Sequence, residues 1–504
     1  MAPHRPKRWS TLVFAVLLAA TLTTPAYAVD PPFITADQPL VTLNVTGDVV
    51  PILSVGDIVS DIKFEGIPDG VGIVDGDDPG TVDVFVAHEQ TTVPFFGERD
   101  FQDASVTQWT IDTATNEVLG ASEPISPDNG FLRFCSAAIA GPEHGFSSPV
   151  FFANEETNDI VSVPAGAPYG ADPAIAPQRQ GGYAVILDTE TGEYTEVPGL
   201  GRLNHENTVA LPGYNQIALL TTDDTFTATT SQLYMYLAND ESHVWQDKGS
   251  LWAFQVTSKN GEPIDPRDPF NEANDYLDLG VDDEMEGKFI RVPKQIARGT
   301  TGEAPQDALE NWSIENNVFT FVRLEDAAVD KNDPNVVYVA DTGATRVVPD
   351  EATGRLARPS GVTGQADNGR IFKFVFDENN PKKVDSFTVY ADGDVADSHA
   401  KFVGFSAPDN IDTSANSLMV QEDFDNAQIW QNDFSSGTWT AVADVVDTGG
   451  ESSGIVDASE WFGDGSWLVT VQAHDLQFVD VEVSDGITIK REEGQLLYMN
   501  IPGS

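Results

Sequence analysis

The stretch Tyr183-Ala184-Val185-Ile186-Leu187 runs into Asp188-Thr189-Glu190-Thr191-Gly192, and a second run begins at Tyr194. A short apolar run bounded by turn formers reads as a β-strand. Aspartate at the head of the turn can accept from backbone amides, and glycine at its foot lets the chain reverse. The same cadence returns at Asp433-Phe434-Ser435-Ser436-Gly437, followed by Trp439. A strand, D-x-x-x-G and a further strand is the rhythm of a repeat whose units each close a small antiparallel sheet.

Working outward, short runs of the same kind recur. They include Thr81–Ala87, Gln216–Leu220, Gln232–Leu237, Val336–Ala340, Arg370–Phe374 and Ser417–Gln421, set between Asp, Asn, Gly, Pro and Thr clusters. The 31 prolines and 42 glycines leave little room for long helices. The expected fold is all-β, a β-propeller with long inter-blade insertions and little helix; an array of β-sandwiches is the competing arrangement. Two stretches break the cadence and read as insertions between blades, 257–315 and 343–368, with a helix possible over Ile296–Leu309. Residues 29–60 read as a strand pair or a blade-closing segment. The propeller is expected to fill 29–504 as one domain.

Residues 1–28 read as a cleaved secretory signal. His4, Arg5, Lys7 and Arg8 precede the apolar Leu12–Leu22, and Ala26-Tyr27-Ala28 supplies a small-x-small cleavage site. Arg5 and Arg8 are not adjacent, so the general secretory route is expected over the twin-arginine one. No later segment is apolar for long enough to span a bilayer, and a secreted monomer is expected. The formal charge is −53, from 80 acidic and 27 basic residues. Such a surface repels nucleic acid and anionic membrane, and suits high salt or divalent cations.

Carboxylates gather at the ends of the apolar runs: His88-Glu89, Glu155-Glu156, His205-Glu206-Asn207, Asp223-Asp224, Glu325-Asp326, Asp409-Asn410 and Glu422-Asp423. Strand ends from several blades would aim these groups at one mouth, where like charges repel unless cations lie between them. The expectation is a multi-metal centre with oxygen ligands; any single pair also reads as solvated surface. Arg323-Leu324-Glu325 places a guanidinium and a carboxylate on one strand face, as a phosphate fork beside a metal ligand or as a structural ion pair. Cys135 is the only cysteine. With no partner for a disulfide, it is an inert core residue, an intermolecular bridge, or a thiolate ligand to a transition metal. His474 reads as structural or as a metal ligand. H-E-x-x-H, G-x-S-x-G and P-loop motifs are absent.

Taken in order, the motifs resemble those of the PhoX-type alkaline phosphatases and their wider secreted relatives. The likeness runs over about 64–500. It rests on Ile67-Pro68-Asp69-Gly70 with His88-Glu89, Phe134-Cys135-Ser136 with Glu155-Glu156, and Gly201-Arg202 with His205-Glu206. It continues through Asp223-Asp224, Arg323-Leu324-Glu325-Asp326, Pro408-Asp409-Asn410 and Glu422-Asp423. Leu324 stands where that family has proline, and the run after Cys135 lacks the family's glycines and tryptophan.

The resemblance implies a β-propeller phosphatase in which a thiolate and carboxylates hold a ferric pair, with calcium alongside. On that basis Cys135, Glu206 and Glu325 are expected as metal ligands, and Arg323 as the phosphate grip. Glu89, Glu155, Glu156, Asp224, Asn410, Glu422 and Asp423 are expected around Ca2+ or beside it. The function expected is that of a secreted, metal-dependent phosphoric-ester hydrolase acting on a small phosphorylated substrate with Ca2+ and Fe3+. A calcium-stabilised extracellular propeller that binds without catalysis is the alternative.

Overall fold

In the computed structural model, residues 30–89, 104–157, 160–162, 178–225, 230–484 and 487–504 are described; the expected signal segment lies outside them. The turn Asp188–Gly192 is a side-chain-braced hairpin. The amides of Glu190 and Thr191 donate to Asp188 Oδ1 at 3.0 and 2.8 Å, and Gly192 closes the turn at φ +73°. Asp433 repeats the device with Ser435, Ser436 and Gly437, which has φ +68°. Asp112 repeats it with Ala114 and Thr115, and there Asn116 takes the left-handed position at φ +61°. In all three places the turn joins the third and fourth strands of a meander.

These meanders are blades, each antiparallel from the axis outward. Blade 1 is Pro68–Asp75, Thr81–His88, Ser105–Asp112 and Val118–Ile125. Blade 2 is Phe134–Ala140, Val150–Glu155, Ala184–Asp188 and Tyr194–Glu196. Blade 3 is His205–Leu211, Ile217–Asp223, Leu233–Ala238 and Ser250–Lys259. Blade 4 is Leu324–Val329, Val336–Asp341, Arg370–Asp377 and Asn380–Asp392. Blade 5 is Pro408–Thr413, Ser417–Glu422, Gln428–Asp433 and Thr438–Val445. Blade 6 is Glu451–Asp457, Ser466–Ser484, Ile487–Asn500 and, from the other end of the chain, Asp48–Ser54.

Each inner strand packs on the next, and Glu451–Asp457 packs back on Pro68–Asp75, so the described residues form a closed ring of six blades. The N-terminal stretch fastens it: Asp48–Ser54 supplies the outer strand of blade 6, and Val41–Leu43 adds to Thr438–Val445 in blade 5. Each inner strand is a short sheet edge turned to the axis, where the neighbouring blades shield it.

The two insertions differ in kind. Residues 257–315 run from the end of the outer strand of blade 3 and contain a strand, Glu284–Arg291, that pairs with both Ser250–Lys259 and Asn380–Asp392. It fuses blades 3 and 4 into one sheet. The expected helix is broken into Lys294–Ala297 and Pro305–Glu315. Residues 343–368 do not lie between blades. Val336–Asp341 pairs directly with Arg370–Asp377, so this excursion leaves from within blade 4. The core is divided among the interblade seams. The seam under the fused sheet is aromatic, with Phe254, Phe319, Phe321, Phe372 and Phe374 around Phe387, whose ring stacks on Phe374 at 4.4 Å. No helix among the described residues is long and apolar enough to cross a membrane.

Candidate metal centre

Every inner strand carries the same irregularity near its start. Pairing with the second strand slips by one residue between Pro68 and Val71, Phe134 and Ala137, His205 and Thr208, Leu324 and Ala327, Pro408 and Ile411, and Ser452 and Ile455. Each slip inserts one extra residue, a β-bulge, which bends the strand and re-aims a side chain. The first bulge residues are Asp69, Cys135, Glu206, Glu325, Asp409 and Ser453. The second are Gly70, Ser136, Asn207, Asp326, Asn410 and Gly454.

The first residues face the mouth, and the second form a floor. Asn207 Nδ2 bonds Asp326 Oδ1, whose other oxygen accepts from Ile411 N at 3.0 Å. Asn410 Nδ2 lies 3.5 Å from Asp69 Oδ1. At Gly70 the next blade comes so close that a Cβ would meet Ala137 N at 2.3 Å.

The second strands add another ring. Just beyond each, an amide donates to the carbonyl of the residue preceding the inner strand: Glu89 to Ile67, Glu156 to Arg133, Asp224 to Asn204, Thr342 to Arg323, and Asp423 to Ala407, at 2.9 to 3.0 Å. This places Glu89, Glu156, Asp224 and Asp423 around the mouth, with Gln472 opposite Glu451 in blade 6. The pocket they enclose holds about 230 Å³.

Of the residues expected from sequence, Cys135, Glu206, Glu325, Arg323, Glu89, Glu156, Asp224 and Asp423 all line this pocket. Asn410 lies in its floor. Glu155 and Glu422 do not enter it. Glu155 accepts from Leu132 N and Tyr183 N at 3.0 and 3.1 Å. Glu422 accepts from Ser406 N, Gln428 N and Trp430 Nε1 at 2.8 to 3.0 Å. Strand alternation is the reason: in Glu155-Glu156 and Glu422-Asp423 neighbouring side chains take opposite faces, and only Glu156 and Asp423 point into the mouth. Glu155 and Glu422 instead brace the loop before the inner strand, as Asp341 does for Val322, Arg323 and Gly343. Asp409, from the strand-end pair Asp409-Asn410, and Glu451 also line the pocket, and Asp69 lies beside Glu89 and Cys135.

Ligand atoms of four overlapping groups lie within 4.8 Å of one another: Asp69, Glu89 and Cys135; Cys135, Glu156 and Glu206; Glu206, Glu325 and Asp409; Asp409, Asp423 and Glu451. The groups follow blade order, and Cys135, Glu206 and Asp409 are each shared by two. Cys135 Sγ is 3.5 Å from Asp69 Oδ2 and 3.7 Å from Glu89 Oε1. Both Glu206 oxygens, Asp409 Oδ1 and Asn410 Oδ1 are buried without a hydrogen-bond partner among the described residues. Buried carboxylate oxygens so placed fit cation coordination, which, like protonation, would offset their desolvation.

The electrostatics agree. Burial, then Glu325 and Asp409, pushes Glu206 well above the usual carboxylate range. Burial and neighbouring carboxylates do the same to Asp69, Glu156, Glu325 and Asp409, and lift Glu451 to about 8. Burial, followed by Asp69, Glu206, Glu89 and Glu156, pushes the Cys135 thiol up. Arg323 is the main counter-charge with a defined grip. Its Nε and Nη2 fork Asp224, with Nε to Oδ1 at 2.8 Å and Nη2 to Oδ2 at 2.5 Å, and Nη2 lies 3.3 Å from Glu325 Oε1. The fork expected to grip phosphate is thus held by Asp224.

No protein-family model matches the chain, and no curated protein matches it. Among solved structures, the NanB sialidase of Streptococcus pneumoniae is similar at 7% identity and a TM-score of 0.37, covering 86% of this chain and 68% of that one. The Cps50 (Swd1) β-propeller domain of Myceliophteria thermophila is similar at 8% and 0.34, covering 80% and 94%. The intramolecular trans-sialidase of Ruminococcus gnavus is similar at 10% and 0.29, covering 87% and 95%. The assignment of this chain as a β-propeller rests on its own closed ring of strand pairings.

Proposed function

We propose that this chain is a secreted, metal-dependent phosphoric-ester hydrolase, PhoX-like in its chemistry, with its cations in the mouth of the propeller. The observation that carries the reading is the ring of bulges: four of the six aim a carboxylate or the thiol into one pocket, and a fifth, Asp69, lies within reach of Glu89 and Cys135. The all-oxygen groups around Glu325 and Asp423 suit Ca2+. The groups sharing Cys135 mix a soft sulfur with hard oxygens and suit iron. Cations bound there supply charge neutralisation for a phosphate and acidify a water.

The chain's own residues do the rest. Glu206, whose two oxygens make no hydrogen bond among the described residues and which belongs to two groups, would help to hold the cations. Burial and four carboxylates oppose ionisation of the Cys135 thiol, and a cation beside it would favour the thiolate. Arg323 fixes Asp224 and Glu325 on the pocket wall.

One observation favours the non-catalytic, calcium-stabilised propeller: the Arg323 fork is already engaged. Elemental analysis of the native protein beside p-nitrophenyl phosphate turnover separates the two. Iron and calcium with turnover are expected. Calcium alone with no turnover would establish the binding module instead.

A further inference from the structure

The candidate cation group of Asp409, Asp423 and Glu451 lies at the end of the arc formed by blades 5 and 6. The residues next to two of its members lead out of the mouth. Phe424 follows Asp423 in the turn between the second and third strands of blade 5. Gly449-Gly450 precedes Glu451 in the connection from blade 5 to blade 6. With Asp423 and Asp425, these residues line a hollow of about 280 Å³. Asp423 also lines the mouth pocket, so the two spaces meet at a candidate ligand.

Phe424 lines this hollow and is 57% exposed. The turn that carries it is pinned on both sides. Asp423 N donates to Ala407 O at 3.0 Å, and Asn426 N donates to Thr448 O at 2.9 Å. Asn426 takes the left-handed position, φ +62°, that closes the turn. The Gly449-Gly450 side of the hollow carries no side chain, and Gly450 has no room for one: a Cβ there would meet Gln472 O at 2.7 Å. Single apolar residues on a surface are ordinary. This one stands in a pinned turn, beside a hollow that adjoins the candidate cations.

Resting on the phosphate-ester reading, we infer that the hollow receives the alcohol portion of the substrate, and that Phe424 selects a planar, uncharged one by stacking on it. A phosphoryl group held over Asp409, Asp423 and Glu451 has space on this side for its ester substituent. An aromatic face favours a flat ring over a flexible chain. Asp423 and Asp425 at the rim repel a further anionic group. An aryl alcohol and a nucleoside share the required chemistry.

The test uses full-length, metal-loaded protein as wild type, Phe424→Ala and Phe424→Trp. kcat/KM is measured on benzyl phosphate, propyl phosphate, 4-carboxybenzyl phosphate and adenosine 5′-monophosphate. Benzyl and propyl phosphate release alcohols of similar basicity, so the contrast between them reads the ring rather than the bond cleaved. Phe424→Ala should lower kcat/KM for benzyl phosphate roughly threefold to tenfold more than for propyl phosphate, with cation content unchanged. Phe424→Trp should keep the preference for the ring, and it serves alone if the alanine variant does not fold. A matching loss on the adenosine ester would make the preferred ring a nucleobase, and a loss on benzyl phosphate alone would make it an aryl group. Wild type should use 4-carboxybenzyl phosphate less well than benzyl phosphate; equal use would overturn the selection against charge. If wild type turns over and Phe424→Ala changes the benzyl and propyl esters by the same factor, the inference falls and the hydrolase reading stands. If wild type hydrolyses none of the four esters, both fall.

Discussion

The two ends of the six inner strands are built from the same ring and behave as opposites. At the mouth lie Asp69, Cys135, Glu206, Glu325 and Asp409. A few residues on, the same strands present Val71, Ile73, Ala137, Ile139, Val209, Val329, Ile411 and Ile455 to an axial cavity of about 530 Å³ that reaches the opposite face. Between them sits the floor of second bulge residues, with Asp326 tied to Asn207 and to Ile411 N. One extra residue per strand separates the two regimes. Without it, strict alternation would carry each strand's side chains through the ring with no change of aim. With it, the mouth end is turned to chemistry while the far end lines the axial cavity largely with apolar side chains.

The largest expected effect is at the mouth and changes sign with cations. Without calcium, Glu206→Gln should raise the melting temperature, because it removes a buried carboxylate from among Glu325, Asp409 and Glu156. With calcium at a hundredfold excess over its Kd, wild type should gain about 3 kcal/mol, and the variant should lose most of that gain. Melting curves with calcium and with chelator read both signs; a variant destabilised equally in both would count against the cation role.

The pH dependence follows from the same groups. Asp69, Glu156, Glu206, Glu325, Asp409 and Glu451 have raised values when folded, Glu451 about 8, against about 4 when unfolded. On raising the pH, the unfolded chain releases these protons first. The stability they contribute is therefore full below pH about 4 and is lost as pH rises towards 8. Chelated protein should lose stability over that window. Calcium-loaded protein should lose less, since cations replace the protons. Denaturant titrations at several pH values check this.

A smaller effect separates neighbours in sequence. Glu422→Gln should cost about 1–3 kcal/mol, because its carboxylate holds two backbone amides and an indole, and should leave cation content unchanged. Asp423→Asn should lower cation content and hardly alter the stability of chelated protein. Equal cation loss in both variants would undo the division between brace and ligand. Least of all, Ile411→Val at the far side of the floor should cost about 1 kcal/mol, identically with and without calcium.

Much of this was legible in the sequence, and the misses have a common cause. The strand cadence showed the propeller because D-x-x-x-G turns are local chemistry: Asp188 and Asp433 brace their own next residues. The carboxylate pairs were visible for the same reason. Which member of a pair faces the mouth was not, because alternation is counted from a register that only the partner strand defines. Glu155 and Glu422, expected around Ca2+ or beside it, brace the adjoining backbone outside the pocket. Of the pair Asp409-Asn410, only Asn410 was carried forward as a ligand, and Asp69 was read only as part of a motif, because neither bulge is visible without the partner strand.

A signal was present all the same. Asp69-Gly70-Val71, Cys135-Ser136-Ala137, Glu206-Asn207-Thr208, Glu325-Asp326-Ala327 and Asp409-Asn410-Ile411 share a ligand type and then a turn-prone residue, before the strand resumes. Stacked on one another, they would have shown the ring. The fusion of blades 3 and 4 was hidden for a different reason: Glu284–Arg291 lies within a polar, proline-rich stretch whose pairing partners are distant in the chain.

The most direct test of the central claim is anomalous X-ray diffraction from crystals of native protein, recorded at the iron edge and at a long wavelength sensitive to calcium. The expected result is iron density beside Cys135 and calcium density among Glu206, Glu325, Asp409, Asp423 and Glu451. A map with no anomalous peak in the mouth, and with the Cys135 thiol and the Arg323–Asp224 pair as they stand here, would contradict it.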